Sequence, residues 1–166
     1  MNNLSSMFNL EKLSEISDYK RALIIVDVMF KDVKDKSGDP YINHLLAVSN
    51  NFDIPTEKIV GLLHDLVEDT DTTFEELKEA GFSDKVIEAL KLVTKKEGES
   101  YPDFIDRIIN SNNIIALKVK IKDMENNMDP NRLDKLPDDL KEKLTKKYEP
   151  QYKKLIKKRG EYYDRY

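Results

Sequence analysis

The chain has 166 residues, of which 39% are hydrophobic and 36% charged, and a formal net charge of −4; these values suit one soluble domain with a modest core. The acidic balance excludes nucleic-acid binding driven by overall charge, and the lack of cysteine excludes a disulfide framework or a zinc–thiolate site. No apolar run reaches the length of a membrane span, and MNNLSSMFNL lacks the basic start and apolar stretch of a signal peptide, so a cytoplasmic location is expected.

Apolar spacing is helical almost throughout, which predicts an all-α fold in a single domain. Residues 18–31 form a helix with Ala22, Ile25, Val26 and Met29 on one side. A polar connection, KDVKDKSGD, follows and ends at Asp39-Pro40, since proline drives the residue before it out of helical geometry. A short helix is expected over Ile42 to Ser49. Pro55 opens another, which the sequence carries through GLLHDLVEDT as one continuous element with Ile59, Val60, Leu62, Leu63, Leu66 and Val67 on its apolar face.

Thr73 and Glu76 have capping-box spacing, Gly81 ends that helix, and Ser83 caps residues 84–93. Ser100 and Asp103 open a further helix, and Ile114 to Asn127 form the next. Pro130 and Pro137 bracket a loop. From Asp138 a lysine-rich helix runs to an interruption near Pro150. Between Lys141 and Lys158 there are eight lysines and two glutamates, read as a solvated face, with Tyr148, Tyr152 and Leu155 against the core.

GLLHDLVEDT is unusual chemistry for a buried helix. On a continuous helix, His64 and Glu68, Asp65 and Asp69, and Asp65 and Glu68 would share one face. Three carboxylates within a turn repel one another and raise one another's pKa, and a divalent cation relieves this. The second of the chain's two histidines, His44, lies in PYINH, and Asp123 lies in KIKDMENNM four residues before Asn127. His44, His64, Asp65 and Asp123 together make a one-metal set. Its nitrogen and oxygen donors suit Mn²⁺, with Fe²⁺ or another divalent ion of similar hardness as alternatives.

The order KSGDPYINH, LLHDLVEDTDTTFEEL, LVTKKEGESYPDFI, KIKDMENNM resembles the HD-superfamily phosphohydrolases, and more narrowly the hydrolase domain of the RelA/SpoT homologues and their short single-domain relatives. The likeness runs from about Ala22 to Met128. It implies an HD-type helical bundle: a helical lead-in over 1–17, a hydrolase core over 18–137, and a lysine-rich C-terminal helix over 138–166 packed on the core.

It also implies roles: metal ligation by His44, His64, Asp65 and Asp123; handling of the attacking water and its protons by Glu68 and Asp69; substrate contacts from Lys36, Ser37, Tyr41, Lys120 and Asn127. The implied activity is removal of the 3′-pyrophosphate from ppGpp or pppGpp, hydrolysis only, since a synthetase would need a further domain. The implied partner is a small phosphorylated nucleotide, with no nucleic acid and no membrane. Another phosphorylated nucleotide or cofactor as substrate, or nucleotide binding without turnover, are the alternatives. Three positions depart from the family pattern: Leu45 replaces a proline, Phe30 a histidine, and Asp35 an arginine that in relatives stacks on guanine.

Overall fold

The computed structural model describes residues 2–165; Met1 and Tyr166, the outer ends of the expected lead-in and C-terminal helix, lie outside them. Twelve helices and no strand occur among the described residues: α1 Leu4–Met7, α2 Leu10–Ser14, α3 Asp18–Met29, α4 Ile42–Ser49, α5 Pro55–Leu63, α6 Leu66–Asp69, α7 Phe74–Glu79, α8 Asp84–Val93, α9 Tyr101–Asn110, α10 Ile114–Asn127, α11 Pro130–Leu133 and α12 Asp138–Tyr163. The connection after α3 is pinned by one isolated antiparallel bridge between Lys34 and Pro40. No helix among the described residues is long and apolar enough to cross a membrane.

The core is organised around α10, which packs on α4, α5, α8, α9 and α12. Its Ile115, Ala116, Leu117, Val119, Ile121 and Met124 are all buried, so little of this helix faces water, as expected of a central rather than a surface helix. The apolar stripe of α3 (Ala22, Ile25, Val26, Met29) is buried as its spacing predicts. Local chemistry sets the boundaries. Ser83 and Ser100 accept from Val86 N–H and Asp103 N–H to start α8 and α9, and Thr73 and Glu76 form the expected capping box of α7. Glu76 also accepts from Ser5 N–H at 2.9 Å, which fastens the lead-in to α7. The buried Arg21 closes the end of α2, donating to the carbonyls of Leu13, Ser14 and Ile16.

Three expectations are corrected. The GLLHDLVEDT segment is not one helix: α5 stops at Leu63, His64 and Asp65 form a turn, and α6 begins at Leu66. The 130–137 segment is not all loop, because Asp129 accepts from Asn131 N–H at 2.8 Å and Pro130 fits the first turn of α11. And α12 runs unbroken through Pro150. Pro150 and Lys146, whose carbonyl loses its amide partner there, are both exposed, so water can satisfy that carbonyl.

At Gly61, α5 lies close against the backbone of α4. A Cβ at this position would lie 3.0 Å from Ser49 Cα, a backbone atom with nowhere to go. Alanine in a helix interior normally gains about 1 kcal/mol over glycine. Here the sign should reverse, with Gly61→Ala costing roughly 1–3 kcal/mol through overpacking. Thermal unfolding checks this: an unchanged or raised Tm would contradict it.

Candidate active site

The break between α5 and α6 matters chemically. On a continuous helix, neighbouring side chains diverge by about 100°, so His64 and Asp65 would face different ways. With the helix interrupted between them, His64 Nε2 and Asp65 Oδ2 come within 3.1 Å. The first turn of α4 brings in His44, whose Nε2 lies 3.3 Å from His64 Nε2. The last turns of α10 bring in Asp123, with Oδ1 3.0 Å from His44 Nε2 and 3.3 Å from His64 Nε2. One ligand atom from each of these four residues lies within 4.8 Å of all the others, an arrangement that could hold a metal ion.

The surroundings suit that reading. His64 Nδ1 is 2.6 Å from the Gly61 carbonyl and His44 Nδ1 is 2.7 Å from Asn126 Oδ1. Both oxygens can only accept, so each favours a proton on Nδ1 and leaves Nε2 as the nitrogen that faces the centre. The carboxylates are oriented too. Tyr41 Oη donates to Asp65 Oδ2 at 2.6 Å, Asn127 Nδ2 to Asp123 Oδ1 at 3.0 Å, and Lys120 Nζ to Asp123 Oδ2 at 2.7 Å. Two imidazole nitrogens and two carboxylate oxygens, without thiolate, fit a divalent ion of intermediate hardness.

The electrostatics describe a site that wants positive charge. Burial would raise the pKa of Asp123, but Lys120 and then His64 outweigh it and hold the carboxyl well below its usual range. Burial would lower that of His64, yet Asp65 and Asp123 push it well above the ordinary histidine value. Lys120, although buried, is raised by Asp123 beside it. Asp69 is pushed up to about 7 by lost solvation and by repulsion from Asp65 and Glu68.

A cavity of about 320 Å³ opens beside the cluster, and Lys36, Ser37, Tyr41, Asp65, Glu68, Lys120, Asp123 and Asn127 all lie on its wall. Glu68 Oε1 is fixed there by Lys95 N–H at 2.8 Å. Asp69 is not on the wall, so the two expected proton-handling carboxylates sit differently. Lys120, expected to contact substrate, is on the wall with its ammonium engaged by Asp123 over the rings of Phe104 and Tyr101.

The same wall carries residues that the sequence reading left out: Lys95, Tyr101, Arg132 and Lys147. Tyr148, expected only as core, packs edge-on against Tyr101 at 5.7 Å and also reaches the cavity. Lys147 Nζ lies 4.5 Å from the Tyr101 ring centre. Its pKa is lowered by burial first, then by Lys36, Lys120 and Lys95, so these lysines converge on one space. For Lys147 there was a weak signal, namely its place beside an aromatic stripe on α12; Lys95 and Tyr101 lie in the LVTKKEGESYPDFI stretch but were given no role, and for Arg132 there was no signal.

Sequence and structure comparisons bear on this geometry. No family model matches the chain. Over 128 residues, 67% of the chain, it is 33% identical to a guanosine-3′,5′-bis(diphosphate) 3′-pyrophosphohydrolase of Aquifex aeolicus, covering 18% of that protein. Over 51 residues, 27% of the chain, it is 51% identical to the zebrafish (Danio rerio) pyrophosphohydrolase MESH1, covering 28% of it. The chain thus spans under a third of the length of these curated relatives. A solved structure of a metazoan ortholog of SpoT, described as hydrolysing ppGpp, superposes with a TM-score of 0.63 at 20% identity, over 87% of this chain and 97% of that one. The chain is thus similar in sequence to these ppGpp pyrophosphohydrolases and shares its fold with that ortholog. The expected all-α, HD-type bundle is therefore the observed fold.

Glu68 depends on the α8–α9 turn that holds Lys95, and that turn is clamped by Arg107. Arg107 donates to both Glu99 oxygens at 2.7 and 3.0 Å and to the Thr94 carbonyl at 2.9 Å. These bonds from Arg107, ahead of burial acting the other way, depress Glu99 from 4.5 to about 2. A depressed carboxyl contributes stability that is present above the unfolded-state pKa and lost as pH falls through the folded one. Glu99→Gln should therefore lower Tm at pH 7, with the gap to the parent shrinking below about pH 4.5 and closing near pH 2. A gap of constant size across that range would contradict the assignment.

Proposed function

We propose that the chain is a metal-dependent phosphohydrolase that removes the 3′-pyrophosphate from ppGpp or pppGpp, working in the cytoplasm with Mn²⁺. The observation that carries this reading is the convergence of His44, His64, Asp65 and Asp123 beside a cavity that Asp65 and Asp123 reach and that Lys36, Lys95, Lys120 and Lys147 also line, in an otherwise acidic protein. The names of the relatives supply the nucleotide, and the donor set supports Mn²⁺ over softer ions.

When bound, such an ion would neutralise charge on phosphoryl oxygens and lower the pKa of water. The remaining work falls to the protein. Glu68, held by Lys95 N–H with its carboxylate on the wall, orients the attacking water and accepts its proton. Asp69, with its raised pKa, can take that proton onward near neutral pH. Lys36, Lys95 and Lys147 attract the phosphate oxygens and offset the charge that builds on them. Tyr101 and Tyr148 form an aromatic face that excludes water and offers a surface to the nucleoside.

The deciding experiment incubates purified protein and Mn²⁺ with ppGpp, pppGpp, phosphorylated dinucleotides and nucleoside monophosphates, reading phosphate and pyrophosphate separately. Pyrophosphate from ppGpp is expected; phosphate from another nucleotide alone would reassign the substrate, and no turnover with metal bound would remove the enzymatic reading. Asp65→Ala should lose Mn²⁺ and activity together. Glu68→Gln should keep Mn²⁺ and lose roughly 10²–10⁴-fold in kcat. Unchanged metal content in Asp65→Ala would overturn the ligand assignment.

A further inference from the structure

Arg132, on α11, ligates nothing in the cluster, yet its guanidinium joins three parts of the fold. Nη1 donates to Asn126 Oδ1 at 2.6 Å and to Asn127 Oδ1 at 3.2 Å, and Nη2 donates to Asp35 Oδ2 at 3.1 Å. The same Asn126 oxygen lies 2.7 Å from His44 Nδ1, and Nη1 itself is 3.1 Å from that nitrogen.

An arginine has only donors and keeps its charge in proteins. The Asn126 atom that faces it must therefore be the oxygen. An oxygen in that place can only accept from His44, and at 2.7 Å it is nearer to Nδ1 than Arg132 Nη1 at 3.1 Å, so it favours the ring proton on Nδ1 and leaves Nε2 facing the centre. Without the guanidinium, the Asn126 amide is free to turn over and offer its NH₂ to His44 Nδ1. The ring proton would then move to Nε2, where it blocks ligation.

We infer that Arg132 is a positioning residue for the metal cluster: through the Asn126 amide it fixes the tautomer of His44. Asp35 keeps it in place. Asp35 Oδ1 is already held by Ser37 N–H, Ser37 Oγ and Asp39 N–H at 2.9, 2.7 and 3.0 Å, which leaves Oδ2 aimed at Arg132. The inference rests on the metal reading given under Proposed function, but the tautomer can be measured without metal.

The chain's two histidines make its imidazole ¹⁵N spectrum simple to assign. It would be recorded on the metal-free protein above the ring's titration, with Mn²⁺ affinity measured separately by calorimetry. The parent should show His44 protonated on Nδ1. Arg132→Met should shift His44 towards the Nε2–H form and weaken Mn²⁺ binding about 10–100-fold, the usual cost of losing such a supporting partner. Adding Asn126→Asp to Arg132→Met should restore both, because a carboxylate can only accept. Arg132→Lys, which keeps a donor-only cation, should stay near the parent.

An Nε2–H tautomer in the parent would overturn the inference, as would an Arg132→Met protein that keeps both the Nδ1–H form and its affinity. So would a loss of affinity that Asn126→Asp fails to recover while the tautomer stays put. If Arg132→Met does not fold, the parent tautomer and Arg132→Lys still decide. A parent that binds no Mn²⁺ but shows the expected tautomers would remove the functional reading and leave this one standing.

Discussion

Four electron-rich atoms facing one another inside a protein are the constraint on which this fold depends. Two imidazole lone pairs and two carboxylate oxygens lie within 4.8 Å. The carboxylates alone repel by roughly 3–4 kcal/mol or more at an effective dielectric of about 20. Such a cluster persists only if donors behind it hold each group and positive charge is available in front. Both conditions are met. Lys120, Asn127 and Tyr41 donate to the carboxylates, and Gly61 and Asn126 take the Nδ1 protons. The raised pKa of His64 shows the same demand from the other side, since a proton is the simplest cation the cluster can recruit.

The helices are arranged to satisfy that demand. The close approach of α4 and α5 at Gly61 brings the His44 helix against the one that ends at His64, and the carbonyl of that same glycine orients the His64 ring. Lys120, Asp123 and Asn127 lie three and four residues apart on α10, so one helical face carries an acid and the two donors that aim it. The interruption after Leu63 gives up helix hydrogen bonds so that two consecutive side chains can serve one centre. Stability and chemistry are drawn from the same contacts here. That explains why buried polar residues are tolerated in a core that otherwise consists of leucine, isoleucine, valine and phenylalanine.

Much of this was legible in the sequence, for identifiable reasons. The ends of α4 and α10 are marked locally, by Asp39-Pro40 ahead of an apolar run and by Asn113 and the polar NNMDP stretch. They fall where expected, at Ile42–Ser49 and Ile114–Asn127. His44, His64, Asp65 and Asp123 stood out because histidine is scarce in the chain and carboxylates rarely sit among leucines. The break at His64-Asp65 was not legible, since no glycine or proline marks it; what interrupts α5 is the pull of partners from α4 and α10. Continuity through Pro150 was hidden for the converse reason, because a local rule predicted a break that solvent exposure makes affordable. Lys95 and Lys147 carried little signal: each resembles any exposed lysine until the packing of α8, α9 and α12 turns it towards one cavity.

Asp35 shows how far a single position can mislead when read alone. A carboxylate beside Lys36 and Ser37 looks opposed to any phosphorylated ligand. In the fold its two oxygens are taken up by Ser37, the Asp39 amide and Arg132. Burial would raise its pKa, yet those hydrogen bonds prevail and keep it ionised. Its negative charge is thus matched by Arg132, and the opposition to anions at the mouth is largely cancelled. The neighbouring pair of Lys135 and Asp39, 2.6 Å apart, ties the same loop to the segment after α11. The cavity keeps its cationic character through Lys36, Lys95 and Lys147, while the acidic residues of the loop serve to hold α11 against the cluster of His44, His64, Asp65 and Asp123. Charge at this site is therefore set by which pairs are closed, and the lysines on the cavity wall, rather than the sum of residues along the loop, determine what an anion meets.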